Sequence, residues 1–281
     1  MKRYYRFAEI EFCLEADFDF AESIQMKPFS STEKGECLMC TFTSKKDISF
    51  DYNKITFDSP TVRIFEDNNG IFETYSLPLL TDTAAVIRRN GKNFDCIINE
   101  KYSEYFSQSI NLLNAVGMED LLFEFNCFML HCSFIEYNGR AILFSGTSGS
   151  GKSTRADMWR SQLNTEIING DKAGIFYKKG EFYACGLPIA GSSYIYKNEV
   201  LPLDSIVFLK KAQNNLTFRA DIKDSIKNIY YNLIVNRWNP DFCSAASDLA
   251  VELYKKAKIF VSECNLNHDS VKEQLEAMEM F

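Results

Sequence analysis

The sequence predicts an α/β (α+β) protein with two domains, a β-rich module at residues 1–115 and a domain with a mixed sheet at residues 116–281. Two observations support this fold class. Residues 1 to about 110 contain short runs of alternating apolar and polar residues, separated by turn signals, which are typical of strands. From residue 131 the predicted order becomes strand, glycine-rich loop, helix and strand, which is typical of α/β domains.

Composition excludes several classes of protein. The 281 residues are 46% hydrophobic and 25% charged, as in ordinary globular domains. Asp and Glu number 38 against 31 Lys and Arg, and this net charge of −7 disfavours a nucleic-acid partner. No apolar run is long enough for a membrane span, and the N-terminal segment lacks the apolar stretch of a secretory signal. We therefore expect a cytoplasmic protein without membrane contact, whose nine cysteines are free thiols.

In the first domain, residues 48–57, 61–65 and 83–88 are predicted strands, and residues 67–70 and 89–92 are predicted turns. Cys37 and Cys40 lie in a strand-like run without further ligands for zinc, so they are interpreted as two thiols. This part of the chain contains no catalytic cluster. It is predicted to serve in packing or in binding a partner.

Apolar residues at helical spacing between 105 and 129, interrupted at Gly117, predict two helices around the domain boundary. Predicted strands follow at 131–136, 140–144, 166–169, 174–177, 182–185, 204–209 and 258–261, and predicted helices at about 221–235, 246–257 and from 270. Ser270 and Glu273 have the spacing of a capping box, and His268 before them is predicted to lie on the surface.

Residues 146–153, Gly-Thr-Ser-Gly-Ser-Gly-Lys-Ser, match the phosphate-binding loop G-x-x-x-x-G-K-[ST]. An apolar strand precedes the loop, and Ala156, Trp159 and Leu163 follow it at helical spacing, as the motif requires. The pattern predicts that the backbone of Gly146, Thr147, Ser148, Gly149, Ser150 and Gly151 surrounds phosphate oxygens. Lys152 is predicted to reach the β- and γ-phosphates, Ser153 to bind Mg²⁺, and Thr154 to lie near the α-phosphate. The expected cofactors are ATP and Mg²⁺, because no guanine-specific motif is present.

Asp171 is the candidate acid–base group, since it follows the strand 166–169 and could face the γ-phosphate. There it could hold Mg²⁺ or accept the proton of a hydroxyl group. It could equally be a carboxylate of the turn. His131, at the start of its strand, could orient Asp171 or a phosphate, or could be a strand-end histidine bonded to backbone. The segment Arg237-Trp-Asn-Pro240 could contact a nucleotide, although helix termination before Pro240 explains it equally well.

Residues 131–191 resemble HPr kinase/phosphorylase and related serine kinases, whose nucleotide core is similar to that of phosphoenolpyruvate carboxykinase. The resemblance is carried by His131, the turn Asn138-Gly139, the strand 141–144, the loop 146–153, Asp171 and the segment Gly186-Leu-Pro-Ile-Ala-Gly191. It covers residues 130–210 well, and it does not include residues 1–115. It implies a phosphate-loop kinase domain in which Asp171, Lys152 and His131 are catalytic and Ser153 and Asp171 bind the metal. It also leaves a homo-oligomer open, because HPr kinases are hexameric.

The sequence departs from this family at three places. Gly170 stands where the family has the first of two aspartates, Ile189 stands for a tryptophan, and the C-terminal signature is absent. These departures disfavour HPr as the acceptor and disfavour reverse phosphorolysis. The predicted function is ATP-dependent phosphoryl transfer to a hydroxyl group, first of all a serine of a peptide or protein. A small-molecule kinase acting on serine or a polyol, and a nucleotide-sensing interaction protein without kinase activity, are the alternatives.

Overall fold

The computed structural model describes residues 1–32, 35, 37–80, 82–265, 267 and 269–279, so that His268 lies outside the described residues. The chain forms two compact units, Met1–Glu124 and Phe125–Phe281. They divide after residue 124 rather than after residue 115, because three short helices that follow the first sheet belong to the first unit.

The described residues of the first unit form one sheet of nine strands. These strands are β1 (Lys2–Phe7), β2 (Ile10–Ala16), β3 (Ser30–Ser31), β4 (Leu38–Lys45), β5 (Lys54–Asp58), β6 (Val62–Asp67), β7 (Gly70–Tyr75), β8 (Ala85–Asn90) and β9 (Asn93–Asn99). Their order in the sheet is β3-β1-β2-β4-β9-β8-β7-β6-β5. The helices α1 (Ser103–Phe106), α2 (Ser109–Val116) and α3 (Met118–Phe123) follow. All neighbouring strands are antiparallel except that β4 runs parallel to both β2 and β9.

The predicted strands at 61–65 and 83–88 are confirmed as parts of β6 and β8, and both predicted turns join hairpins. The strand predicted from residue 48 is wrong in its first half, because β5 begins at Lys54. The alternation of apolar and polar residues at 48–52 has another cause. The Phe50 ring packs 5.3 Å from the rings of both Phe65 and Phe72, so that an irregular segment covers this cluster.

The second unit contains the remaining elements. Its strands are β10 (Phe128–Tyr137), β11 (Arg140–Ser145), β12 (Glu166–Asn169), β13 (Lys172–Lys178), β14 (Glu181–Cys185), β15 (Val200–Lys211), β16 (Leu216–Arg219), β17 (Leu233–Ile234) and β18 (Lys258–Cys264). Its helices are α4 (Lys152–Leu163), α5 (Ile222–Asn232), α6 (Pro240–Lys256) and α7 (Ser270–Glu279). The mixture of parallel and antiparallel strands agrees with the predicted α+β class.

Strands β10 and β15 organise this unit, because each pairs with different neighbours along its length. The first half of β10 pairs with β13 and β17, and its second half pairs with β11 and β12. The start of β15 pairs with β14, and the rest runs parallel to β11 and β18. Together β10, β13, β14, β15 and β11 form a closed ring of paired strands.

Three sequence predictions for the second unit are corrected. Phe128 and Met129 begin β10 instead of ending a helix, since their backbone pairs with β13. Helix α6 begins at Pro240, and the Asn239 side chain caps it by accepting hydrogen bonds from the N–H groups of Asp241 and Phe242. Pro240 therefore starts a helix instead of terminating one. Ser270 makes no capping box, because its hydroxyl binds the Asn267 carbonyl and accepts from Arg155.

Helix α4 is tied to α7 by buried polar side chains that accompany an apolar interface. The guanidinium of Arg155, which is 1% exposed, donates to Ser270 Oγ at 2.9 Å and to the Asn265 carbonyl at 3.0 Å. One turn later, Trp159 Nε1 donates to Gln274 Oε1 at 2.8 Å, and Gln274 Nε2 donates to Ser262 Oγ at 2.9 Å. These bonds fix the helix that follows the glycine-rich loop against α7 and β18.

Within the described residues, no helix combines the length and the apolar character that crossing a membrane requires.

Replacing Trp159 by Phe is expected to lower the free energy of unfolding by about 1–3 kcal/mol, because the buried Gln274 amide oxygen loses its donor. Chemical denaturation measures this change. The matched control is Trp238→Phe, since no described residue accepts a hydrogen bond from that half-buried indole. Equal losses in the two variants would show that the Trp159–Gln274 bond does not contribute to stability.

Candidate functional site

The loop at residues 146–151 joins the end of β11 to the start of α4, and its path requires glycine at both ends. Gly146 has φ of 137°, and a Cβ atom there would lie 3.0 Å from both the Leu209 carbonyl oxygen and Ser150 Oγ. Gly151 precedes the helix with φ of 99°, in the left-handed region. L side chains rarely adopt these conformations. The two glycines therefore permit a tight turn directly before the helix.

The start of α4 leaves backbone N–H groups without a main-chain acceptor, whereas the Ser150 N–H of the loop donates to the Thr147 carbonyl at 3.1 Å. Arg155 N donates to the Gly151 carbonyl at 2.8 Å, which is the first main-chain bond of α4, so the preceding N–H groups of the helix have no intrahelical acceptor. Thr147, Ser148 and Gly149 are exposed, as are Ser153 and Thr154 in the first turn. A helix N-terminus with free donors and a positive dipole end favours an anion such as phosphate.

Lys152 is the buried cation of the loop, with 9% of the residue exposed. Its Nζ donates to the carbonyl oxygens of Gly146 at 3.0 Å and Thr147 at 3.2 Å. An ammonium group has three donors, so one remains for a ligand. Burial lowers the pKa of Lys152, and the nearby Asp171 partly opposes this shift.

Asn169, which is fully buried at the end of β12, holds the neighbouring backbone in place. Its Oδ1 accepts hydrogen bonds from the N–H groups of Asp171 at 2.9 Å and Lys172 at 3.0 Å. Its Nδ2 donates to the carbonyls of Leu187 at 2.9 Å and Ile189 at 2.8 Å. All four of these hydrogen-bonding positions are used. The amide thereby joins the turn that carries Asp171 to the segment 187–189.

The Asp171 carboxylate lies between two basic side chains. His131 Nδ1 is 3.4 Å from Oδ1, and the ammonium group of Lys172 pairs with Oδ2. The backbone brings them together, since His131 on β10 is paired with Lys172 on β13 and Cys132 N donates to the Asp171 carbonyl at 3.0 Å. The side chain of Asp171 is 19% exposed, so a ligand can reach it.

Burial lowers the pKa of His131 below its usual value, and the charge of Lys152 lowers it further. Asp171 acts in the opposite direction without reversing the shift. His131 is therefore neutral at pH 7, and an N–H at Nδ1 could donate toward Asp171. Asp171 is the single carboxylate that contacts this histidine among the described residues.

The structure explains why Gly170 precedes Asp171. A Cβ atom on Gly170 would lie 2.0 Å from Ser193 Oγ and 2.6 Å from Ser193 Cβ. Gly191 is also constrained, because its φ is 54° and a Cβ there would lie 2.9 Å from Asp171 Cγ. The segment that carries Gly191 and Ser193 therefore occupies the space that a second aspartate would need.

The predicted site residues fall into two groups. His131, Lys152 and Asp171 lie close enough to influence one another electrostatically. Ser153 and Thr154 share the exposed first turn of α4, and no contact within the described part of the chain joins Ser153 to Asp171. Arg237 lies elsewhere, in a cleft beside α5 and α6.

Sequence reasoning missed Asn169, Lys172 and Ser193. Asn169 carried a usable signal, since asparagine at a strand end followed by glycine often accepts hydrogen bonds from the next residues of a turn. Lys172 and Ser193 carried no such signal, because Lys172 meets Asp171 and His131 through strand pairing and Ser193 meets Gly170 through folding of a separate segment.

The residues present fit a nucleotide with its metal ion. The free N–H groups before Arg155 and the remaining Lys152 donor suit phosphate oxygens, and the Ser153 hydroxyl and the Asp171 carboxylate are oxygen ligands of the kind that Mg²⁺ prefers. Among the other predicted phosphate contacts, Thr147, Ser148, Gly149 and Thr154 are exposed, whereas Ser150 is half-buried and its N–H donates to the Thr147 carbonyl at 3.1 Å.

Comparisons with known proteins give little further information. No protein-family model and no curated protein sequence matches the chain. Among solved structures, the HPr(Ser) kinase/phosphatase from Coxiella burnetii is similar over 33% of this chain and 70% of that chain, with 12% identity and a TM-score of 0.26. This is a weak structural likeness to a kinase/phosphatase, and a TM-score this low does not establish a shared fold.

Replacing Gly170 by Ala is expected to lower the free energy of unfolding by about 1–3 kcal/mol, because the added methyl group overlaps Ser193. Thermal or chemical denaturation measures the loss. In the double variant with Ser193→Gly the overlap is removed, so most of the loss should be recovered. An equal loss in the single and double variants would contradict this cause.

His131 is expected to titrate below its usual pKa of 6.5, and Lys152→Met should raise its pKa because the nearby cation is removed. Proton NMR measures the pKa of His131 in the parent protein and in Lys152→Met. The variant His131→Gln assigns the signal, and Lys255→Met is the control. With a lowered pKa for His131, the folded protein binds fewer protons than the unfolded chain near pH 6.5. The folded state is therefore more stable where His131 is neutral, and it loses this stability as the pH falls from 6.5 through the folded-state pKa. A His131 signal that titrates at or above 6.5 would contradict the argument.

Proposed function

We propose that the protein is an ATP-dependent kinase that transfers the γ-phosphate to a hydroxyl group, with a serine of a peptide or protein as the first candidate acceptor. The observation that carries this proposal is the grouping of Lys152, His131 and Asp171 beside a glycine loop at a helix N-terminus. A phosphate-binding loop alone would serve a nucleotide-binding protein. A reachable carboxylate close to the loop lysine adds a group suited to accept a proton from an attacking hydroxyl.

In this proposal the loop, the lysines, His131 and Asp171 each contribute to phosphoryl transfer. The N–H groups of residues 147–149 and 151–154 and the Lys152 ammonium group bind phosphate oxygens and stabilise the negative charge that develops during transfer. Asp171 accepts the proton of the acceptor hydroxyl as its oxygen bonds to phosphorus. Neutral His131 and the Lys172 ammonium group position the carboxylate from its two sides. Positioning and charge stabilisation supply most of the rate acceleration in phosphoryl transfer.

Mg²⁺ would be held by the Ser153 hydroxyl and the Asp171 carboxylate, and when bound it would neutralise charge on the β- and γ-phosphates. Asp171 is the one carboxylate proposed for both tasks, because Gly170 supplies none. The site therefore differs from one with an adjacent pair of aspartates, in which two carboxylates are present.

Lys152→Met and Asp171→Asn are each expected to reduce phosphoryl transfer at least a hundredfold, since each removes a charge used in the transition state (on the order of 2.7 kcal/mol or more). Transfer of labelled γ-phosphate from Mg²⁺-ATP is measured with a serine-peptide library, free serine, polyols and cell extract offered in parallel. Lys255→Met, an exposed lysine of α6, is the matched control and should retain activity. Asp171→Asn should still bind nucleotide.

The outcomes separate the proposed kinase from its alternatives. A labelled peptide or protein supports the proposal, whereas label found exclusively on serine or a polyol indicates a small-molecule kinase. Nucleotide binding without any labelled acceptor would contradict the kinase. It would favour a nucleotide-sensing interaction protein, whose partner binding should follow the state of the nucleotide.

A further inference from the structure

A second concave surface lies between α5 and α6, outside the phosphate-loop site. This basic cleft has a volume of about 700 Å³, and its lining includes Lys223, Lys227, Tyr230 and Tyr231 on α5, Arg237 after β17 and Cys243 on α6. Its size is in the range of ligand-binding pockets. None of the sequence motifs requires such a cleft.

The cleft is basic in a protein of net charge −7. Lys223, Lys227 and Arg237 are exposed, and none of them forms an ion pair within the described part of the chain. No Asp or Glu is among the lining residues. Three cations without a compensating carboxylate create a local field that favours an anionic ligand.

The cations follow the length of a helix rather than converging on one point. Lys223, Lys227 and Tyr231 are spaced by four residues and therefore lie along one face of α5. At 1.5 Å per residue this row extends for about 12 Å, which corresponds to about four residues of an extended peptide. The geometry favours an elongated ligand with several negative charges over a single phosphate ion.

One end of the row is next to the phosphate-loop site. Strand β17 follows α5 directly, and Leu233 on β17 pairs with Leu130 on β10, the residue before His131. Because the two strands are antiparallel, the chain before Leu233 runs alongside the chain after Leu130. The backbone at the Tyr231 end of the cleft is therefore close to the backbone of His131, and Lys223 lies at the opposite end of the row.

We propose that the basic cleft binds an acidic peptide segment that flanks the acceptor hydroxyl. This inference rests on the proposed function, and it names the acceptor class: a serine with acidic residues within a few positions. Lys227 and Lys223 would pair with carboxylates successively further from the serine, and the tyrosine rings would contact the peptide between them. Such charge pairs chiefly set specificity and the rate of association.

The test uses two synthetic peptides, Glu-Glu-Glu-Glu-Ser-Glu-Glu-Glu-Glu and the same peptide with Gln in place of Glu. Binding to the full chain is measured by fluorescence anisotropy, and by protection of the Cys243 thiol from alkylation with half-exposed Cys37 as the internal reference. We expect the Glu peptide to bind and to protect Cys243. Lys223→Glu with Lys227→Glu should weaken this binding about tenfold or more, because two attractive charges become repulsive.

The matched control is Lys255→Glu with Lys272→Glu, which changes the net charge equally at exposed helix positions outside the cleft. It should alter binding less than twofold. Equal binding of the Glu and Gln peptides, or an unchanged affinity in the cleft variant, would overturn the proposal. Protection of Cys243 by inorganic phosphate but not by the Glu peptide would also overturn it, in favour of a small-anion site.

Peptide binding and phosphoryl transfer are measured separately. Peptide binding that depends on Lys223 and Lys227 without phosphorylation under Mg²⁺-ATP would support the cleft and contradict the proposed kinase. Phosphorylation of both peptides with equal KM would support the kinase and contradict the cleft. Where both hold, the cleft variant should raise KM for the Glu peptide about tenfold with kcat little changed, as expected for a binding contact remote from the reacting atoms.

Discussion

The side-chain amide of Asn169 is the constraint on which the candidate site depends. It is fully buried, and its four hydrogen bonds reach two N–H groups of its own turn and two carbonyls of the segment 187–189. A buried amide with every partner satisfied specifies one local arrangement, because any other would leave polar groups unpaired. The orientation of Asp171 toward His131, and the closeness of Gly191 to Asp171, both follow from this arrangement.

The electrostatics of the site follow from burial as much as from charge. Lys152 is bonded to two loop carbonyls and partly shielded from water, so its charge acts strongly on neighbours within a low dielectric. It helps to keep His131 neutral, while Lys172 offsets the charge of Asp171 from the other side. In the proposed kinase, a site balanced in this way would take up a polyanion with little rearrangement, since the cationic groups are already positioned.

Sequence reasoning recovered those parts of the structure that depend on local patterns. The strand Glu166–Asn169 and the hairpin through Asn138 and Gly139 are confirmed, because alternation and turn chemistry act within a few residues. The helix predicted after Gly117 was wrong in its last residues, since Phe128 and Met129 pair with β13 and this pairing overrode a helical pattern. The exclusion of a side chain at Gly170 depends on Ser193, which approaches only through folding. Contacts of this kind have no local signal.

The closed ring of β10, β13, β14, β15 and β11 has a consequence for the order in which parts of the second unit fold. Strand β11, which leads into the glycine loop, lies between β10 and β15, and its pairing with β15 joins Ala141–Ser145 to Leu203–Phe208. Such distant pairings form late, because the intervening chain must first be brought together. On a ribosome, residues 140–151 would emerge well before the strand that completes their surroundings. A nascent chain would therefore acquire the native surroundings of its glycine loop as one of the last features of the second unit.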